Sequence, residues 1–183
     1  MTTTKRSSLR FRRLACQVMP VVLCLVVVGC AEDPNVQLER VSKDFVSSSV
    51  LSGEQMVSEI RKQLAVEGVD QVDVVVKGRI NAGKEAVPWE PNKAAFVLTD
   101  AIGHEGESDH DPHTCPFCSR NINDYLVMVS FKDDKGSLID IDSRKLFDVT
   151  EKQLVYVKGT ARIDPDDDLL YLDAAKLHTT AKQ

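Results

Sequence analysis

The sequence lacks the features that announce most enzymes. It contains no G-x-S-x-G elbow, no H-E-x-x-H pair and no glycine-rich phosphate loop, so the common hydrolase, zinc-protease and nucleotide-binding chemistries have no carrier. Aromatic residues are scarce at 5%, with a single tryptophan; valine is frequent instead, which favours strands. Basic charge is also thin beyond the N-terminus. Setting aside residues 1–29 removes five of the 23 basic residues and none of the 28 acidic ones, leaving a formal charge of −10. A domain that acidic repels phosphate backbones, so nucleic acid is not expected as a partner; it suits a protein outside the cytoplasm, or one that attracts cations. An apolar fraction of 43% over 183 residues is that of a folded chain, with room for one domain, a targeting segment and a tether.

Long apolar runs are absent but for one. Residues 14–29, LACQVMPVVLCLVVVG, follow a basic stretch carrying Lys5, Arg6, Arg10, Arg12 and Arg13. This is the n-region and h-region of a secretory signal, and it is shorter than the roughly 20 residues of a spanning helix. It ends Val27-Val28-Gly29-Cys30, which resembles the processing box of bacterial lipoproteins. The resemblance implies cleavage before Cys30, acylation of Cys30 with chains such as palmitate, and attachment to a membrane of the cell envelope. In a diderm host, Ala31 after the cysteine implies the outer membrane. Cys16 and Cys24 would leave with the signal.

Residues 30–52 show no clear period and contain Ser47-Ser48-Ser49, the pattern of a flexible tether. Ser52 is placed to cap an amphipathic helix over about 53–66, with Val57, Ile60 and Leu64 on one face and Gly68 as its stop. Strands follow at 72–80, 94–99, 125–131, 154–163 and 169–175, with LIDI at 138–141 extended and a short helix over 143–149. Val74-x-Val76-Lys77-Gly78 recurs as Val155-x-Val157-Lys158-Gly159, so two strands should bend alike. Three strands, a short helix and two strands is the order of an OB-fold. The expected fold is therefore mainly β: a small five-stranded antiparallel OB-like barrel with a leading amphipathic helix, over residues 53–183. OB-folds usually bind ligands on a face framed by loops 1–2 and 4–5. Here those loops carry Trp89, a possible ligand contact or a cap on the barrel end, and Asp166–Asp168, whose spacing lacks the EF-hand pattern and reads as a solvated turn.

Chemistry concentrates in one stretch of the long insertion at residues 100–124: His110-Asp-Pro-His113-Thr-Cys115-Pro-Phe-Cys118. Three of the four histidines lie between 104 and 113, and the only cysteines beyond Cys30 are Cys115 and Cys118. Thiolate and imidazole are ligands for zinc and copper, and a C-x₂-C turn can place both sulfurs on one ion. His110, His113, Cys115 and Cys118 are thus the expected metal ligands, with His104 in reserve and Asp109 and Asp111 available to orient the imidazoles. Two alternatives stay open. Cys115–Cys118 could be a structural disulfide in a ligand-binding adaptor, since an exported protein meets an oxidising compartment. The pair could also exchange disulfides, because Cys-Pro-Phe-Cys resembles the motif of glutaredoxin-type oxidoreductases, although no βαβ unit surrounds it. Haem attachment needs a histidine at 119, which is Ser119. His178 stands alone and reads as a surface residue.

The reading that emerges is an exported, membrane-anchored envelope protein, tethered through Cys30 to a lipid, that binds zinc or copper through a His/Cys loop. A protein partner in the envelope is compatible with it. Catalysis is not expected, apart from the redox alternative through Cys115 and Cys118.

Overall fold

Alternation along the first long strand sets the core. Val74, Val76 and Ile80 are buried while Asp73 is exposed, as a strand with one face on a barrel interior requires. The computed structural model describes residues 34–101 and 111–182; residues 1–33, which hold the expected signal segment and Cys30, and positions 102–110 and 183 lie outside the described residues. The elements are α1 (Pro34–Phe45), β1 (Glu54–Gln55), α2 (Val57–Leu64), β2 (Val72–Ile80), β3 (Ala95–Asp100), β4 (Leu126–Ser130), α3 (Ser143–Phe147), β5 (Leu154–Ile163) and β6 (Leu170–Thr179), with a 3₁₀ segment over Cys118–Tyr125.

The sheet runs β1-β2-β3-β4-β6-β5, and β5 pairs again with β2. Strands β2 to β6 therefore close into a five-stranded barrel of OB type, with no free edge between them. The expected antiparallel pairing holds at every contact of the ring except one: β4 and β6 run parallel, Val127 opposite Leu170. The long connection through α3 produces this, because it returns the chain so that β6 enters beside β4 in the same direction.

The two glycines of the sequence echo do different jobs. Gly159 sits at a β-bulge, where the β5–β6 register slips between Lys158 and Gly159. A Cβ there would lie 2.2 Å from the carbonyl oxygen of Asp173. Gly78 is an ordinary ladder position where β2 meets β3, with a Cβ falling 2.9 Å from the Thr99 carbonyl oxygen.

The barrel interior is filled by Val76, Leu98, Val127, Val129, Val157 and Leu172, among others. One end is closed by an aromatic group. Phe131 is fully buried, 4.4 Å from Phe147 and 5.2 Å from Phe45 by ring centroids. Phe147 arrives on α3, whose first turn is capped by the Asp142 carboxylate accepting the Arg144 N–H at 3.0 Å. The Arg144 guanidinium grips the same carboxylate at 2.6 Å, holding Asp142 down at a pKa of about 2.

Two sequence expectations need correction. The stretch expected as a tether carries α1, and its chain stays docked past the helix: Ser47 N donates to Leu177 O at 2.8 Å, and the Lys176 ammonium reaches Asp44 O at 2.6 Å. The helix has only three inward apolar positions, Leu38, Val41 and Phe45, too sparse to read as a period; Phe45's place in the aromatic group holds it. The leading helix is present but starts at Val57 rather than 53. Residues 54 and 55 pair parallel with β2 instead. The cap is not Ser52: the Glu59 carboxylate accepts the Met56 N–H at 3.2 Å, and buried Asp100 accepts the Val57 N–H at 2.8 Å.

Candidate functional site

Asp111 opens the described part of the His/Cys loop and organises its backbone. Its carboxylate accepts the His113 N–H at 3.0 Å, and its carbonyl accepts the N–H groups of Thr114 (3.0 Å) and Cys115 (3.3 Å). This is an Asx turn. The Asp111 carboxylate thus accepts from the backbone of His113 rather than from its ring; the other imidazoles it was expected to orient, His104 and His110, lie outside the described residues.

The ring of His113 is held from elsewhere. Its Nε2 lies 3.0 Å from Thr99 Oγ1, and Thr99 Oγ1 donates to Asn81 O at 2.9 Å. The hydroxyl has one proton, so it accepts from His113, and Nε2 carries the hydrogen. Nδ1 then keeps the lone pair and faces Gly83, where an added Cβ would stand 2.7 Å from it. Gly83 has φ +84°, a conformation that suits glycine. Its N–H is held by the Asn81 side chain at 2.9 Å. His113 forms one wall of an open cleft of about 1010 Å³, shared with Asn81, Gly83, Asp111, Glu151 and Lys152.

The cysteines occupy the next turn. Ser119 N donates to Cys115 O at 3.0 Å, closing one helical turn that brings residues 115 and 118 to the same side. Neither is in a disulfide; Cys115 is half-buried and Cys118 only 1% exposed. The two sulfurs are hydrogen-bonding neighbours. The Cys115 thiol is lowered, first by the backbone N–H of Cys118, then by the Cys118 side chain, with the Phe117 N–H adding to both. The Cys118 thiol is raised, mainly by burial and then by Cys115, against a lowering contribution from Tyr125. Tyr125, whose hydroxyl donates to Cys118, is pushed up to about 12. Tyr125, Cys118 and Cys115 thus stand in hydrogen-bonding contact one after another. The charge-ready sulfur is the outer one. Between them Phe117 stands 79% exposed.

The loop's second leg is pinned to the scaffold. The 3₁₀ segment, kinked at Asn121, carries Asp124, which faces Arg61 Nε of α2 at 3.4 Å. Arg61 also binds the Asp168 carboxylate at 2.8 Å and the Asp168 carbonyl at 3.0 Å. One largely buried guanidinium thus ties α2, the cysteine segment and the β5–β6 turn.

The remaining expected residues find ordinary places. Trp89 is half-buried, bridged to Phe96 with ring centroids 6.1 Å apart and Arg144 over its ring at 5.7 Å. Asp164 and Asp167 accept N–H groups of their own turn, at Asp166 and Leu169. His178 donates from Nδ1 to Ser47 O at 3.1 Å. His104, Asp109, His110 and Cys30 lie outside the described residues. Among the described residues no three His, Cys, Asp or Glu side chains are gathered as a metal-binding group; the site as described is a pair of thiols with a separate histidine. No helix among the described residues is long and apolar enough to cross a membrane.

No protein-family model matches the chain. No curated protein matches it either. The site must be read from its own chemistry. Sequence reasoning did not find Tyr125, Thr99, Asn81, Gly83 and Arg61. Tyr125 sits at the head of an expected strand; Thr99, Gly83 and Arg61 act on residues at least 14 positions away in sequence, and Asn81 joins Thr99 to Gly83.

Proposed function

We propose that this protein is an exported, lipid-anchored envelope protein that binds a transition metal, zinc or copper, through Cys115 and Cys118. The observation that carries this reading is the pair itself: two cysteines on one helical turn, not joined in a disulfide and hydrogen-bonding neighbours. A C-x₂-C turn of this kind can direct two sulfurs at one ion. Backbone N–H groups around Cys115 favour its charged form, the form that ligates. Cys118 is buried, and a buried thiolate needs a compensating cation; a bound divalent ion provides one. The hydroxyl of Tyr125 would remain on the ligated sulfur and orient it.

Imidazoles complete the set in this proposal. His110 is the third ligand and His104 the reserve, both in the stretch immediately before Asp111. His113 enters only through Nδ1, because Nε2 donates to Thr99. The anchor rests on the basic stretch, the apolar run and the Val27-Val28-Gly29-Cys30 ending. The acidic domain would draw cations toward the site.

The test is a competition titration of the reduced domain from residue 31 with Zn²⁺ against a chromogenic chelator. One equivalent should bind, binding should vanish in Cys115→Ser and Cys118→Ser, and His110→Ala should weaken it at least about tenfold, roughly 1.4 kcal/mol. No binding by the reduced wild-type domain refutes the proposal. Labelling with a palmitate analogue in a bacterial host, lost in Cys30→Ala, tests the anchor separately.

A further inference from the structure

The two thiols are unequal in a way that metal binding alone does not call for. A pair of ligands needs both sulfurs within reach of one ion, but not one sulfur at the surface and the other sealed beneath it. Cys115 is half-buried at the loop surface, between exposed Thr114 and exposed Pro116, with Phe117 79% exposed beyond. Cys118 is 1% exposed, capped by the Tyr125 hydroxyl on one side and by Cys115 on the other. A reagent arriving from solvent meets Cys115 first, and Cys118 is reached through its neighbour.

We propose that Cys115 and Cys118 carry out thiol–disulfide exchange with disulfide-bearing molecules, Cys115 as the attacking sulfur and Cys118 as the resolving one. This rests on the metal reading for its consequence: closing the pair uses up both metal-ligating thiolates and releases the ion.

The atoms balance as follows. The Cys115 thiolate attacks one sulfur of R–S–S–R; that S–S bond breaks, and the departing RS⁻ takes a proton from solvent. Cys118 gives up its proton and attacks Cys115 Sγ, forming the Cys115–Cys118 bond and expelling the second RS⁻. Two electrons pass from the cysteine pair to the disulfide, which leaves as two thiols. The approach to the second step is already in place. The pair shares the turn closed by Ser119 N to Cys115 O at 3.0 Å, which sets the two sulfurs on the same side as neighbours. The first step falls to Cys115 because it is the more exposed sulfur of the pair, while Cys118 is 1% exposed. Arg61 holds the far leg through Asp124, which keeps Cys118 beneath Cys115 while the mixed disulfide exists.

The test uses the full chain with Cys16, Cys24 and Cys30 replaced by alanine, so that Cys115 and Cys118 are its two remaining cysteines; this background, called wild type below, is purified in detergent, stripped of metal by a chelator and mixed with oxidised glutathione. Wild type should lose both thiols, keep no glutathione and release two glutathione thiols per chain. Cys118→Ser should stop with one glutathione on Cys115; Cys118→Ala repeats the test without a polar atom in the buried site. Cys115→Ser should take up glutathione at least tenfold more slowly than either. Urea unfolding of each variant verifies that the barrel is intact. Equal rates for the Cys115 and Cys118 variants, or a stable mixed disulfide on wild type, overturn the order of attack. Wild-type thiols that survive the disulfide overturn the exchange. Because this arm contains no metal, it stands whether or not zinc binds. In zinc-loaded wild type the expected result is one zinc released for each two thiols lost; zinc retained after both thiols are gone overturns the coupling, while a chain that never loads zinc removes the metal reading and leaves the exchange result as it stands.

Discussion

Replacing Gly159 with alanine should cost this barrel far more than the same change at Gly78, although the two glycines end the same five-residue pattern. At Gly159 the new Cβ would lie 2.2 Å from the Asp173 carbonyl oxygen, 2.9 Å from its carbon and 3.0 Å from Ala174 Cα. All three are backbone atoms of the neighbouring strand, so no rotamer change relieves them; β5 and β6 would have to part by about an ångström at the bulge, losing ladder bonds worth about 1 kcal/mol each on top of the packing strain. The expected loss is about 3 kcal/mol or more, a large share of the 5–15 kcal/mol typical of a domain. For a unit of this size that lowers Tm by roughly 6–12 °C. At Gly78 the nearest atom is the Thr99 carbonyl oxygen at 2.9 Å, followed by Leu98 Cβ at 3.2 Å; a shift of a few tenths of an ångström accommodates it, at about 1–2 kcal/mol. Gly136, with φ +79° and no atom within 4 Å of the added Cβ, reports the backbone cost alone, about 1 kcal/mol. Urea unfolding gives all three midpoints, with an unchanged slope certifying the same transition. If Gly159→Ala stays within 1 kcal/mol of wild type, or Gly78→Ala costs more, the account of the bulge is wrong.

Other expectations follow from named contacts. Asp142 has a folded pKa of about 2 against an ordinary 3.8, a gap worth at most about 2.4 kcal/mol and about 1–2 once solvent screening of half-exposed Arg144 is allowed for. A depressed carboxylate stabilises above its unfolded pKa, so this contribution should be whole above pH ~4 and fade as pH falls toward about 2. Asp142→Asn should remove it at neutral pH and flatten that part of the stability profile; a variant as pH-sensitive as wild type would contradict the assignment. Phe131→Ala should cost about 3–5 kcal/mol, since the ring is fully buried against Phe45, Phe96 and Phe147, and near-UV circular dichroism should show the loss of aromatic packing. Imidazole nitrogen NMR should find His113 as the Nε2–H tautomer, and Thr99→Val should abolish that preference and cost about 1–3 kcal/mol by leaving the hydrogen bond unmade; an Nδ1–H tautomer in wild type would reverse the assignment of its free lone pair.

The barrel was legible because its signals are local. The paired Val-x-Val-Lys-Gly patterns place β2 and β5 to the residue, and the element order carries the barrel. The parallel β4–β6 pair was not legible, since register between strands 40 residues apart leaves no mark in either. Helix α1 was missed because three apolar side chains in twelve residues form no period; tertiary packing of Phe45 holds it. The position of the cysteine pair was plain from spacing. Its asymmetry was not, because the burial of Cys118 depends on Tyr125 and on a leg fastened by Arg61. His113 shows the limit of spacing most clearly: two residues from Cys115 in sequence, its ring is bonded to β3 through Thr99.

The most direct test of the central claim is metal content by elemental analysis of the reduced domain from residue 31 onward, with free thiols counted on the same sample before and after chelation. The account predicts one equivalent of zinc or copper, thiols shielded from alkylation until the chelator is added, and loss of the ion in Cys115→Ser and Cys118→Ser. A domain with two freely alkylated thiols that takes up no metal from stoichiometric zinc or copper would contradict it.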